Sequence, residues 1–229
     1  MSPARIVDLS QPVGAGTPVF PGDGPVRVTV LDQGSVNVSR IEFSVHTGTH
    51  MDAPFHFFSG AETIDRIPLD RCVGPARIVD LRGIAAGAEI RREHLATRPD
   101  SPLRAHAAIL HTGWSKQWGA PRYFSEHPCL AADAAQLLVD CGVRLVGVDM
   151  PSVDRAPYPA HQILLRAGVP IVENLTNLDA IGADLFQIVV LPLKLAGRDG
   201  SPVRAVAICC GAPSKTHYPT TLAVGGMTW

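Results

Sequence analysis

Apolar residues fall in short runs of four to seven, each bounded by Gly, Pro or charged positions, and that length and punctuation predict strands. The runs are Arg5 to Leu9, Val26 to Leu31, Arg40 to Val45, Ala76 to Leu81, Ala107 to Leu110, Leu145 to Val148, Val169 to Val172, Gln187 to Leu193 and Arg204 to Cys209. Helical spacing is confined to two places. Leu130 to Cys141 combines strong helix formers with apolar positions on one side and Gly142 where a C-terminal cap belongs, and Ala160 to Ala167 ends at Gly168. Each helix runs through its glycine into a strand. The second half therefore reads as two helix-strand units and the first half as mostly strands, which predicts an α/β protein with a mixed sheet.

The chain has 229 residues, enough for one domain with a substantial core, expected over residues 1–210. The last stretch, 211–229, is rich in Pro, Thr and Gly without a period and is expected to be an irregular tail. A formal net charge of −1, with no run of Lys or Arg, offers phosphate backbones no attraction, so nucleic acid is not expected as a partner. Met1 to Leu9 lacks a basic segment followed by an apolar one, and no apolar run approaches a membrane span. Five cysteines (Cys72, Cys129, Cys141, Cys209, Cys210) without C-x-x-C spacing suit a reducing compartment and argue against a cysteine-ligated zinc. The expected location is the cytoplasm.

Against that neutral background one segment stands out. His46-Thr-Gly-Thr-His50-Met-Asp52-Ala-Pro-Phe-His56 places three imidazoles and a carboxylate at even spacings, which share one face of an extended chain. Imidazole nitrogen and carboxylate oxygen hold Zn²⁺ or Mn²⁺ while leaving positions open for water. A straight strand would put the Cα atoms of His46 and His50 about 13 Å apart, so the chain must bend between them. Gly48 is the residue free to do so, and Pro54 is expected to exclude a helix through His56. Glu173 follows the apolar run Val169-Pro-Ile-Val172, which places a second carboxylate at the mouth of a core strand, where α/β proteins build sites. Asp149 similarly ends Leu145 to Val148 and reads as a structural acid, with Ser152 and Asp154 shaping a loop.

The motif resembles the His-x-Gly-Thr-His-x-Asp-x-Pro-x-His signature of the metal-dependent cyclase family, which includes bacterial kynurenine formamidases and isatin hydrolases. The likeness extends to Pro18-Val-Phe-Pro-Gly-Asp23, His111-Thr-Gly-Trp-Ser115, Gly147 to Asp154, Leu191-Pro-Leu-Lys194 and Ser201 to Ala205, in family order, over roughly residues 5 to 208. The resemblance implies a swivelling β/β/α fold and a homo-oligomer, dimer or tetramer. It implies that His46, His50 and Asp52 bind a first divalent metal, Zn²⁺ or Mn²⁺, and that His56 is the acid/base. It also implies that His161 and Glu173, twelve residues apart, join Asp52 around a second ion.

The implied reaction is hydrolysis of an amide or cyclic amide by a metal-activated water, of the arylformamidase or isatin hydrolase kind, on a small-molecule substrate. Phe20, Phe55, Phe57, Phe58 and Trp114 are candidates to line a pocket for an aromatic group. Gly-x-Ser-x-Gly is absent, which speaks against a serine hydrolase. Two alternatives stand beside this reading: a mononuclear Fe(II) oxygenase, whose two-histidine, one-carboxylate triad His50-Met-Asp52 with a later histidine could also supply, and a non-catalytic metal-binding protein.

Overall fold

The computed structural model describes residues 4–32, 34–95 and 107–209. Its strands are β1 (Arg5–Asp8), β2 (Arg27–Asp32), β3 (Asn37–Glu42), β4 (His50–Asp52), β5 (Val73–Asp80), β6 (Glu89–Ile90), β7 (Ala107–His111), β8 (Cys129–Leu130), β9 (Leu145–Val148), β10 (Ile171–Glu173), β11 (Leu185–Pro192) and β12 (Gly200–Cys209). Its helices are α1 (Leu69–Cys72), α2 (Arg92–Leu95), α3 (Ala132–Asp140) and α4 (Pro159–Arg166).

Eight strands form one sheet in the order β1-β12-β11-β5-β7-β9-β10-β4, and a further pairing of β4 with β12 closes it on itself. Strands β5, β7, β9 and β10 run parallel, and the remaining pairings of this sheet are antiparallel, so the sheet is mixed. The long strand β12 makes the closure: on one edge Gly200, Ser201 and Pro202 pair with β4, and further along Val206 to Cys209 pair with β1. Parallel strands joined through helices are not a jelly roll, which removes the structural basis of the iron oxygenase alternative.

Alternating side chains of the central strands feed two cores. Ile109 and Leu145 join Met51, Val172, Ile188, Val190, Ala205 and Ala207 on one side of the sheet. Leu110, Val146 and Val148 pack on the other side against Leu138 of α3 and Leu164 of α4. Both faces of β7 and β9 are thus covered, which is why those strands read as unbroken apolar runs rather than alternating ones.

The helices end as expected, with Gly142 and Gly168 at positive φ past α3 and α4. The run at Arg40 to Val45 behaves differently: its strand is displaced to Asn37–Glu42, because it pairs with β2 in a separate hairpin in which Arg27 sits opposite Glu42. Cys210 and the expected tail, 211–229, lie outside the described residues.

The seam between β4 and β12 demands a glycine. A Cβ on Gly200 would lie 2.8 Å from the His46 ring and 3.0 Å from the Met51 carbonyl oxygen, closer than side chains tolerate. Gly200→Ala is expected to cost about 1–3 kcal/mol by overpacking, read as a lowered urea midpoint with an unchanged slope.

Candidate functional site

Strand β4 carries the heart of the site. His50 and Asp52 are two residues apart and share one face, while Met51 between them is buried in the core behind. The antiparallel partner β10 sets Glu173 directly opposite His50, and cross-strand partners project to the same side. His161 arrives from the first turn of α4. All four are buried, at 1–4% exposure, where an unbalanced charge would not be tolerated.

His46 precedes β4 across a turn in which Gly48 has φ +66°, a conformation that removes the distance problem of a straight chain. His46 Nδ1 lies 2.8 Å from Asp52 Oδ1 and its Nε2 2.8 Å from Asp199 Oδ2. His56 follows β4 and faces Asp199 through Nδ1 at 3.4 Å, its ring centroid 4.3 Å from that of His46. Pro54 does not exclude a helix here, contrary to expectation. Pro54–His56 is a 3-10 turn with proline at its first position, where no N–H is needed and the fixed φ is already helical.

The separations among the buried groups are informative. His50 Nε2 is 3.4 Å from Asp52 Oδ1 and 3.5 Å from Glu173 Oε2, and His161 Nε2 is 3.4 Å from Glu173 Oε1 and 3.7 Å from Asp52 Oδ2. These are long for charge-assisted hydrogen bonds, which run about 2.7–2.9 Å. Two atoms each about 2.1 Å from one ion at a tetrahedral angle lie about 3.4 Å apart, so the spacing suits ligands around a shared cation.

The far ring nitrogens agree. His50 Nδ1 is 2.9 Å from the Gly48 carbonyl and His161 Nδ1 is 2.6 Å from Asp154 Oδ1. An imidazole that donates its Nδ1–H to oxygen turns Nε2 toward the carboxylates, where it could hold a proton or, in place of the proton, a cation, the arrangement second-sphere partners give metal-bound histidines. Two donor sets that share Asp52 result: His46, His50 and Asp52, and Asp52, His161 and Glu173.

Two further residues hold these groups. The Asp154 carboxylate also accepts the backbone N–H groups of Ala160 and His161, so it caps α4 as it orients His161. Asn174, in the left-handed region at φ 59°, donates its amide to the Gly48 carbonyl and accepts the Tyr123 hydroxyl, tying the loop before β4 to the end of β10. Glu173 Oε1 accepts the Val153 N–H.

A cavity of ≈ 350 Å³ opens onto this cluster. Phe20 and Phe57 line it, joined by Trp118, Phe124 and Tyr158, which sequence reasoning passed over. Phe55 and Phe58 do not line it: they lie along and beyond the Pro54–His56 turn, with Arg166 over the Phe58 ring. Trp114 is also a correction. Asp149 accepts hydrogen bonds from the Thr112 hydroxyl and from the Thr112 and Gly113 backbones, and the loop so held buries the indole, whose Nε1–H donates to the Tyr123 carbonyl. Asp199 and Asn174 were the polar residues missed. Asp199 is 153 positions from its His46 partner, and no local pattern marks it.

Electrostatics follow from burial and proximity. Burial opposes the charge on every one of these groups. Asp52 and Glu173 nevertheless push the His50 pKa up to about 10, and Asp154, Asp52 and Glu173 hold His161 well above the usual histidine range. The histidines in turn hold Asp52 well below the usual carboxylate range. Burial lowers the His56 pKa, so this imidazole is neutral at pH 7.

Comparison with known proteins gives the context. Residues 7–155 match the protein-family model Cyclase. The chain is 37% identical over 214 residues to a kynurenine formamidase of Paracidovorax citrulli, covering 90% of this chain and 97% of that protein. It is 36% identical over 215 residues to a kynurenine formamidase of Bacillus anthracis, covering 90% and 98%. Among solved structures it resembles isatin hydrolase A of Labrenzia aggregata, with TM-score 0.81 and 28% identity over 90% of this chain and 94% of that one. It also resembles a chain described as a potential metal-dependent hydrolase with cyclase activity, with TM-score 0.80 and 31% identity over 92% and 100%.

In chelator, protons on the imidazoles must balance the buried carboxylates. His50 is raised in the folded state, so the stability it supplies is full below about pH 6.5 and is lost as the pH climbs toward about 10. Urea midpoints measured in EDTA are therefore expected to fall steadily across that window. A flat profile would count against a charged His50.

Proposed function

The chain belongs to the cyclase family, and on that footing we propose that it is a metal-dependent hydrolase cleaving an amide or cyclic amide C–N bond. The observation that carries this reading is the convergence of His50 and His161 on Asp52 and Glu173, at 3.4–3.7 Å, beneath a cavity walled by aromatic rings. His46, His50 and Asp52 would hold one divalent ion, and Asp52, His161 and Glu173 a second, as Zn²⁺ or Mn²⁺. Such an ion supplies Lewis-acid polarisation of the acyl oxygen and makes water a nucleophile near neutral pH.

The chain's own residues do the rest. His56, neutral and on the cavity wall, takes the proton from the attacking water as the O–C bond forms. It returns that proton to the nitrogen as the C–N bond breaks, leaving a carboxylic acid and an amine, or one ring-opened acid. Phe20, Phe57, Trp118, Phe124 and Tyr158 offer faces and edges to an aryl group. Among the described residues no Lys or Arg lines the cavity, and Asp23 is the charged group outside the histidine and carboxylate cluster. That wall favours an aromatic amide, and Asp23 offers an acceptor to an amine on the substrate. The named relatives support this class, being kynurenine formamidases and an isatin hydrolase. A non-catalytic role would leave His56 unexplained.

Location and assembly follow the same way. No helix among the described residues is long and apolar enough to cross a membrane, and Cys72, Cys129, Cys141 and Cys209 are free, which fits the reducing cytoplasm. The β2–β3 hairpin forms a sheet of its own and exposes Val28, Val30 and Ile41 on one face. An isolated two-stranded hairpin is marginal in water, which supports a second copy of the chain covering it. Val30→Glu is expected to shift the particle toward the monomer mass in light scattering, whereas an unchanged mass would place the interface elsewhere.

The deciding test is hydrolysis of N-formylkynurenine and isatin before and after chelation, with elemental analysis of the protein. Chelator-sensitive opening of either substrate, with one or two Zn or Mn per chain, is expected. His56→Ala should keep its metal and lose about 10²–10⁴-fold in kcat. Normal turnover by that variant would end the acid/base assignment.

A further inference from the structure

We propose that Asp199 is a positioning residue that serves the metal site and the proton-transfer step together, holding His46 and His56 with one carboxylate. The inference rests on the hydrolase reading above and adds to it a residue on the hairpin between β11 and β12.

The geometry is specific. Asp199 Oδ2 lies 2.8 Å from His46 Nε2 and 3.4 Å from His56 Nδ1. The opposite nitrogen of His46, Nδ1, is the one 2.8 Å from Asp52. Were His46 to hold an ion through Nδ1, a carboxylate that accepts its Nε2–H would fix that tautomer, as a second-sphere acid does for a ligating histidine. The same oxygen faces His56 Nδ1 at 3.4 Å, long for a hydrogen bond, so it acts there through its charge, favouring the tautomer with the proton on Nδ1 and Nε2 free to act as a base. One acid thus selects the tautomer of two neighbouring rings.

The carboxylate is held where it can do this. The Asp199 carbonyl accepts the Ala53 N–H at 2.9 Å, and the Arg198 carbonyl accepts the Ile64 N–H at 2.8 Å, so the hairpin is stitched to the chain on both sides of His56. Gly200, the next residue, pairs with Asp52 in the β4–β12 seam and lies against the His46 ring. Moving Asp199 away would open the seam that closes the sheet. At 37% side-chain exposure Asp199 is not driven inward by burial of its own; the backbone contacts set its place.

Asp199→Asn and Asp199→Glu, each alone and with His56→Ala, separate the two roles. Zinc affinity is read by competition with a chromophoric chelator, stoichiometry by elemental analysis, and kcat and KM at saturating zinc with N-formylkynurenine or isatin. For Asp199→Asn the expected result is about a 10–100-fold loss of zinc affinity at unchanged stoichiometry. At saturating zinc kcat should remain about tenfold down or more with KM unchanged, and the substitution should add nothing when His56 is already alanine. Asp199→Glu, which keeps the charge, should recover part of both losses. Unchanged affinity would overturn the proposal, as would loss of a whole zinc equivalent, which would make Asp199 a ligand. An equal further loss of kcat in the His56→Ala background would also overturn it. The affinity comparison needs no substrate, so it decides the proposal even where the wild type turns over neither compound; a wild type that bound no zinc would bring down both readings together, and one that bound zinc normally but hydrolysed nothing would bring down the proposed function alone.

Discussion

Two carboxylates, Asp52 and Glu173, are buried side by side on one face of a sheet, and the rest of the structure is arranged to make that tolerable. Taking a charged group out of water costs several kcal/mol even after relaxation, more than burying a single Met or Leu returns. The compensation has to come from positive charge at short range. Strand β4 supplies it by setting His50 opposite Glu173, and α4 supplies it by bringing His161 between the two acids. Register is thereby fixed twice over. A slip of β4 by one residue would push His50 and Asp52 into the apolar core and bring Met51 into the site, losing the ionic compensation and the packing together.

A cluster of this kind would still be loose if its members were free to turn, and the surrounding hydrogen bonds remove that freedom. Gly48 contributes a carbonyl that takes both the His50 ring and the Asn174 amide, and Asn174 is in turn held by Tyr123 and by the backbone of Met150. Asp154 does the equivalent for His161 while it caps the helix that carries the ring. Thr49 bridges from the Asn174 carbonyl to the N–H of Gln11. The Asn174–Gly48, Tyr123–Asn174, Thr49–Asn174 and Gln11–Thr49 bonds join segments remote in sequence, so the placing of β4 is a property of the closed sheet rather than of any one loop. That is the condition for a site in which proton transfer depends on separations of a few tenths of an ångström.

What the sequence disclosed divides along the same line. The cluster at β4 and the bend before it were legible because His46, Gly48, His50 and Asp52 lie within seven residues and act on one another locally. Helices α3 and α4 were legible because their glycine stops are local too. Asp199 was not, since its role exists only after β12 has closed against β4. The aromatics were ambiguous for a related reason: Trp114 and Phe57 are equally apolar in sequence. What separates them is that Asp149 gathers the Thr112–Gly113 backbone and turns Trp114 inward, while Phe57 follows a 3-10 turn that leaves it on the cavity wall. Pro54 was misread because proline forbids a helix interior yet suits a first turn, and which applies depends on where the preceding strand stops.

The same 3-10 turn places three functions within two residues. His56 is the candidate acid/base, and Phe57 both walls the cavity and stacks on the His161 ring, with centroids 4.9 Å apart and planes 20° from parallel. Tyr158 meets both Phe57 and His161 edge-on, at 5.6 Å and 5.8 Å. The surface that would grip an aromatic substrate is therefore the surface that steadies one of the buried imidazoles. A substitution at Phe57 made to widen the pocket would release His161 on one side, so selectivity and the integrity of the donor set cannot be tuned separately there. Phe20 and Phe124 are free of that constraint. They pack edge to face with each other at 5.8 Å, without touching a member of the histidine and carboxylate cluster through a ring contact. Substitutions that reshape the cavity of this chain without disturbing the cluster have their room on that side, while the Phe57 side is held by its stacking on His161.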